Sequence, residues 1–310
     1  MKKRVIGVLL TACMAGAMLA GCGNNAANNA ADNAAGAASA AGEAASAAGE
    51  AATAAVGEDL TAEVSFFAAK SLNGVMEEVI TEFNKTYPNV KITGSYDSSG
   101  TLMEQIEEGF ACDVFFSAAQ SQMDELADGG FVIDGTRSNV VNNQVVVVTQ
   151  PDSKTKVTGL ESLDKAANMA LADGSVPVGK YTRQALINAG KLEKVDDAAT
   201  ITTEEVSKAL GGIEINECKN VGEVATAVAE GSNEVGTVYK SDTYGLEDKL
   251  NILEVVSYDL TGNVIYPIAQ INNKEADDAE VAAAKAFVDY VTSDDVKAIF
   301  EKYYFDTNVE

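Results

Sequence analysis

The sequence predicts an α/β protein of the parallel-sheet class, and three observations predict it. Short apolar runs alternate with amphipathic helical stretches from residue 62 onward. Several runs, such as Val145-Val-Val-Val148, are apolar at consecutive positions, the pattern of strands covered on both faces. The first sixty residues lack the large apolar side chains a core requires, so the core comes from residues 61–310, enough for one two-lobed unit or two small domains.

The chain opens with Lys2-Lys3-Arg4, continues with a mostly apolar stretch over residues 5–20, and places the small residues Ala20-Gly21 before Cys22. That layout predicts a signal peptide over residues 1–21, too short and wrongly flanked for a spanning helix. Leu19-Ala20-Gly21-Cys22 resembles the lipobox of bacterial lipoproteins, which implies cleavage before Cys22, its lipidation, and an extracytoplasmic protein anchored to the cell membrane. The alternative is an ordinary secretory signal with a chance cysteine. Residues 22–60 are rich in Ala, Gly, Asn and Glu, and Gly42-Glu-Ala-Ala-Ser-Ala-Ala48 recurs nearly unchanged as Gly49-Glu-Ala-Ala-Thr-Ala-Ala55. This is a low-complexity linker that gives reach from the membrane.

The folded part begins with Val64 to Ala69 as a short buried strand. Leu72, Val75, Met76, Val79, Ile80 and Phe83 follow at helical spacing, and Tyr87-Pro88 ends that helix. Val90 to Tyr96 alternates like a second strand, Leu102, Met103 and Ile106 mark a second helix, and Asp113 to Ser117 a third strand. Gln144 to Thr149 and Met169 to Ala172 are further strands, and helices are predicted over 181–190, 203–210 and 221–230. Val235 to Tyr239 and Val264 to Ile271 read as strands, and helices over 281–291 and 296–303 close the chain.

Composition excludes several classes. Twenty-two Lys and Arg against 47 Asp and Glu give a formal charge of -25, which argues against a nucleic-acid partner. An anionic small ligand remains open, because distant carboxylates are screened over a Debye length of roughly 8 Å. With no histidine, the Ser-His-Asp and Cys-His mechanisms and the commonest metal sites are removed. Cys13, Cys22, Cys112 and Cys218 show no CxxC spacing, so no zinc or redox motif is present; sequence leaves open whether Cys112 and Cys218 pair.

In parallel sheets ligands bind beyond the carboxyl ends of strands, where helix amino termini present unpaired N–H groups. Ser71 and Ser98-Ser99-Gly100 each stand between a strand and its helix. Singly, each serine is an N-cap worth about 1 kcal/mol; on successive turns, the two can also surround an anion. Pro177-Val178-Gly179 and Asn220-Val221-Gly222 open two more helices with backbone N–H groups to offer. Tyr239 ends a strand, where its phenol either donates to a ligand or packs with its hydroxyl toward solvent.

These segments together resemble the periplasmic molybdate-binding proteins of ABC importers over residues 62–306. The matches run in order: Phe67-Ala-Ala-Lys-Ser-Leu72, Ser98-Ser-Gly-Thr-Leu102 with Gln105-Ile106, Asp113-Val-Phe-Phe-Ser-Ala118, Val176-Pro-Val-Gly179, Gly236-Thr-Val-Tyr239 with Ser241-Asp242, and Tyr266-Pro267. The resemblance implies a two-lobed periplasmic-binding-protein-like fold of type II, each lobe a mainly parallel sheet flanked by helices, with the ligand in the inter-lobe cleft. Lobe 1 is then residues 61–142 plus 260–310 and lobe 2 residues 143–259, with crossings near Asn142-Asn143 and Tyr258 to Gly262. It implies an oxyanion, molybdate or tungstate, held by the hydroxyls of Ser71, Ser99 and Tyr239 and the amides of Val178 and Val221. Molybdenum would arrive inside the oxyanion, with no protein side chain as direct metal ligand and no cofactor. The partner is an ABC transporter permease, and the binding protein a monomer without catalytic activity. Lys70 departs from the small residue this motif usually carries and is expected to face solvent.

Three other readings compete. The same fold serves sulfate, phosphate and organic solutes. A surface-anchored enzyme could use carboxylates such as Asp113 and Asp242, although each stands where a turn or cap is the simpler role. A structural or adhesive lipoprotein would use the Ala-rich linker as a stalk.

Overall fold

The computed structural model describes residues 59–309; the segments expected to form a signal peptide and linker, with Cys22, lie outside the described residues. The chain runs β1 (Ala62–Ala69), α1 (Asn73–Thr86), β2 (Val90–Asp97), α2 (Ser99–Glu107), β3 (Val114–Phe116), α3 (Gln120–Asp128) and β4 (Ser138–Asn143). It continues with β5 (Val145–Thr149), β6 (Asn168–Ala172), α4 (Pro177–Asn188), α5 (Thr203–Ala209), β7 (Glu214–Cys218), α6 (Val221–Ala229), β8 (Val235–Tyr239) and β9 (Asn251–Val255). The last elements are α7 (Tyr258–Thr261), β10 (Val264–Gln270), α8 (Asp278–Val291) and α9 (Lys297–Lys302).

Among the described residues the strands form two five-stranded sheets, ordered β2-β1-β3-β10-β4 and β7-β6-β8-β5-β9. Both are mixed, which corrects the expectation of mainly parallel sheets. β1 pairs in parallel with β2 and β3, and β6 with β7 and β8. β10, however, runs antiparallel to β3 and β4, and β5 antiparallel to β8 and β9. The reason is topological: β4 leads directly into β5 of the other sheet and β10 brings the chain back, so the strands beside these passages reverse direction. The parallel trios keep their carboxyl ends, and hence the starts of α2, α4 and α6, together.

The strands in the middle of each sheet carry the core. In β1, Val64, Phe66 and Ala68 are buried among α1 and α8, where Phe66 meets Phe287 edge-on at 5.2 Å between centroids and Phe83 meets Phe287 at the same distance. Phe67 points to the other face and joins Phe115, Leu102, Ile106, Met123 and Leu126 under α2 and α3. Each aromatic so enclosed contributes about 1.5–3 kcal/mol by leaving water. β5 and β8 are buried along their whole lengths, so helices or strands cover both of their faces.

The helix starts are chemically specified. Ser98 caps α2, its hydroxyl accepting from the Thr101 amide at 3.1 Å, and Asn220 caps α6, its side chain accepting from the Glu223 amide at 3.0 Å. Pro177 occupies the first position of α4, where a missing N–H costs nothing. Ser71 is not a cap: it lies inside a 3-10 turn, Lys70–Leu72, that bends β1 into α1 without any side-chain cap. Cys112 and Cys218 are both free and buried.

Candidate functional site

Six turns at the carboxyl ends of strands in the two sheets converge on one small cavity of about 200 Å³ of unfilled space. From the first sheet come Ser71 after β1, Ser99 at the start of α2 and Ala118 after β3; from the second come Val178 at the start of α4, Val221 at the start of α6 and Tyr239 at the end of β8. The five residues the sequence predicts, Ser71, Ser99, Val178, Val221 and Tyr239, thus line one space. The space is small, which suits a compact ligand.

The lining offers donors. Ser99 is 1% exposed, and its Oγ accepts from the Ala118 amide at 2.9 Å, which occupies a lone pair and leaves the hydroxyl hydrogen unspent. Val178 and Val221 are the second residue of α4 and the first of α6, so their N–H groups have no acceptor within their helices. In α4 the first intrahelical bond belongs to Lys180, whose amide reaches the Val176 carbonyl at 3.0 Å. Tyr239 is 1% exposed, and its hydroxyl, with the Tyr266 phenol nearby, makes no well-formed hydrogen bond among the described residues, leaving an unsatisfied polar atom in a cavity wall. Burial pushes this phenol well above its ordinary pKa, so it stays protonated and can donate. An unpaired buried hydroxyl costs on the order of 1–3 kcal/mol, a cost that a bound acceptor relieves.

None of the described residues lining the cavity is acidic, although the chain carries 47 Asp and Glu. The two carboxylates weighed as a catalytic pair are otherwise engaged. Asp113 accepts from the Ser65 amide and from Asn273 Nδ2, both at 2.7 Å, and Asp242 accepts from the Tyr239 amide at 2.9 Å. Asp242 is partly exposed as a residue while its carboxylate is enclosed by protein, and this enclosure lifts its pKa to about 7.

The lips of the cleft touch. Asn220 Nδ2 donates to Asp97 Oδ1 at 3.1 Å, joining the start of α6 to the end of β2. Gly100 faces the Ser175 carbonyl so closely that a Cβ there would sit 3.0 Å from the oxygen. Lys70 departs from the solvent-facing position expected of it: it is half-buried, lines the cavity, and lays its stem against Gly222.

Sequence reasoning missed Arg183, which is fully buried beneath this region. Its guanidinium donates to the carbonyls of Ile201 (2.7 Å), Ala172 (2.8 Å) and Gly179 (3.0 Å) and to Thr203 Oγ1 (3.1 Å), tying the end of β6 and the start of α4 to the segment before α5. An arginine inside a helical pattern reads as solvent-facing, and nothing local to it signals otherwise.

A family model described as bacterial extracellular solute-binding protein matches residues 64–306. The chain belongs to that family. YvgL of Bacillus subtilis, named as a substrate-binding lipoprotein of an ABC transporter, is 30% identical over 239 residues, covering 77% of this chain and 84% of YvgL. The molybdate-binding protein ModA of Escherichia coli is 30% identical over 264 residues, covering 81% of this chain and 93% of ModA. A solved substrate-binding domain from Clostridium difficile, named for a molybdenum ABC transporter, shares 31% identity with a TM-score of 0.58, covering 80% of this chain and 99% of that one. As an extracellular solute-binding protein with the two-lobed type II architecture, the molecule carries this cavity between its two sheets.

Proposed function

We propose that this solute-binding protein captures a tetrahedral oxyanion, molybdate or tungstate, in the cavity between its sheets and delivers it to an ABC permease. The observation that carries this reading is the set of neutral donors without a lining carboxylate: the hydroxyls of Ser71, Ser99 and Tyr239 and the amides of Val178 and Val221. The 30% identity to a molybdate-binding protein over nearly the whole folded part supports the choice of anion. Each hydrogen bond to a charged acceptor contributes about 1.5–3 kcal/mol, so five converging donors, alongside Lys70 in the lining, can offset dehydration. Selectivity follows from size, since a smaller sulfate leaves donors under-contacted. It follows also from the lack of a carboxylate among the described lining residues, which leaves protonated phosphate without a strong acceptor for its hydrogen.

Residues 61–142 with 260–310 form one lobe and 143–259 the other, and ligand binding holds them closed about the passages at Gln144 and residues 256–263. Only the closed form then offers the permease both lobe surfaces in one geometry. Cys22 carries the lipid that holds the protein at the membrane, a reading supported by the lipoprotein name of YvgL. Calorimetric titration of dialysed residues 59–310 tests the ligand: molybdate and tungstate are expected to bind tightly and sulfate and phosphate weakly. Preference for sulfate or phosphate would overturn the anion assignment, and silence from all four the oxyanion reading.

A further inference from the structure

The hydroxyl of Ser71 belongs to a buried chain of polar groups. Its Oγ lies 2.9 Å from the hydroxyl of Tyr266, the Tyr266 hydroxyl lies 3.2 Å from Asn143 Nδ2, and the same Nδ2 lies 2.9 Å from Ser241 Oγ. The direction of these bonds can be deduced. The Gln144 amide donates to Asn143 Oδ1 at 2.9 Å, and because a backbone N–H can only donate, that end of the Asn143 side chain is its oxygen. The other end is the NH₂ group, whose two hydrogens go to Ser241 and Tyr266. The Tyr266 oxygen therefore accepts from Asn143, and of its two hydrogen-bonded neighbours among the described residues only Ser71 Oγ is able to take its own hydrogen. Tyr266 is fully buried and keeps that hydrogen, because burial holds its phenol well above the ordinary pKa. Ser71 is left as acceptor toward Tyr266, and its own hydrogen has no other protein partner among the described residues.

We propose that Tyr266 is a positioning residue for the anion, fixed by Asn143, that turns Ser71 into a one-way donor facing the cavity. The inference rests on Ser71 contacting the anion, as read in the preceding section. Ser99 is oriented by a different device, with the Ala118 amide occupying one of its lone pairs. In both serines the protein supplies the donor to the oxygen, so the hydrogen is free for the ligand. Asn143 closes β4 at the passage between sheets, and Ser241 follows β8 of the second sheet, so the amide that orients Tyr266 also joins the two sides of the cleft. Tyr239, edge-on to Tyr266 at 5.8 Å, packs against the same ring.

Molybdate affinity of the full chain is measured by calorimetry for wild type, Ser71→Ala, Tyr266→Phe and the double variant, with Tm recorded for each. Tyr266→Phe is expected to weaken molybdate binding about as much as Ser71→Ala, roughly tenfold, and the double variant to bind no more weakly than Ser71→Ala alone. A Tyr266→Phe loss that persists undiminished in the Ser71→Ala background would overturn the relay, since a merely structural role acts whether or not Ser71 is present. No loss in Tyr266→Phe beside a clear loss in Ser71→Ala would also overturn it while sparing the site. No loss in Ser71→Ala would instead remove the site reading on which it stands. Should Tyr266→Phe fail to fold, Asn143→Asp replaces it in the same cycle, because a carboxylate accepts from Tyr266 and forces Ser71 to donate there. Its added charge acts in both backgrounds, so a molybdate loss larger with Ser71 present than in Ser71→Ala reports the relay, and equal losses overturn it.

Discussion

Ser71 and Ser99 occupy similar positions in the chain, each just past a strand, yet fold into different roles. Ser99 is the first residue of α2 behind the Ser98 cap, whereas Ser71 lies in a 3-10 turn and faces Tyr266. Replacing both, Ser71→Ala with Ser99→Ala, removes two charge-assisted donors and is expected to weaken molybdate binding at least tenfold while the fold persists. Calorimetry with circular dichroism checks this, and unchanged affinity would reject both assignments. Asp242 supplies a second residue-scale prediction. Its carboxyl has a pKa of about 7 in the fold against 3.8 when free, so folding favours its protonated form. The stability this gives is fully present below about pH 4 and is lost as pH rises through about 7. Asp242→Asn keeps an oxygen to accept from the Tyr239 amide and removes the titration, so its Tm relative to wild type is expected to climb between pH 5 and pH 8. A constant Tm difference across that range would contradict the assignment.

At the scale of elements, legibility followed burial except at β2, an edge strand legible from its alternation. Strands in the middle of the sheets, β1, β5, β6, β8 and β10, announce themselves as apolar runs, and the helices that cover them show helical spacing. β4, β7 and β9 lie at sheet edges with mixed or exposed positions, and the sequence reading passed over all three, along with α3. Their pairing is decided by a neighbour's free backbone edge, which local composition does not encode. Periodicity places the apolar stripe of α4 only from Tyr181, while Pro177-Val178-Gly179 marks its opening, and the helix starts at Pro177. Packing at that start is severe: a Cβ on Gly179 would lie 2.0 Å from the Asp173 carbonyl oxygen and 2.5 Å from that of Ala172. Gly179→Ala is therefore expected to push α4 off β6 and destabilise the protein by about 1–3 kcal/mol, on the order of 2–4 °C in Tm for each kcal/mol. Thermal unfolding measures this, and an unshifted Tm would show that α4 can move freely.

For the whole molecule, both sheets and every lining residue of the cavity fall within residues 62–270. A ligand held between sheets binds the native state alone, so molybdate at a hundred times its Kd is expected to add about 2.7 kcal/mol, roughly 5–10 °C in Tm. The shift should be the same with residues 1–58 deleted, and a scan of the deleted chain without it would place part of the site in the missing segment. The sequence by itself determined the α/β class, the export signal layout, the exclusion of histidine chemistry and the turns where donors stand. Each of these is written locally, in periodicity, composition or the residues beside a strand end. Tertiary structure alone decided that the six turns meet in one cavity with no carboxylate among its described lining residues, that the passages between sheets reverse β5 and β10, that Arg183 is buried beneath α4, and that Tyr266 and Asn143 stand behind Ser71. Those are relations between residues up to 195 positions apart, as for Ser71 and Tyr266, and only chain packing brings such partners within hydrogen-bonding distance.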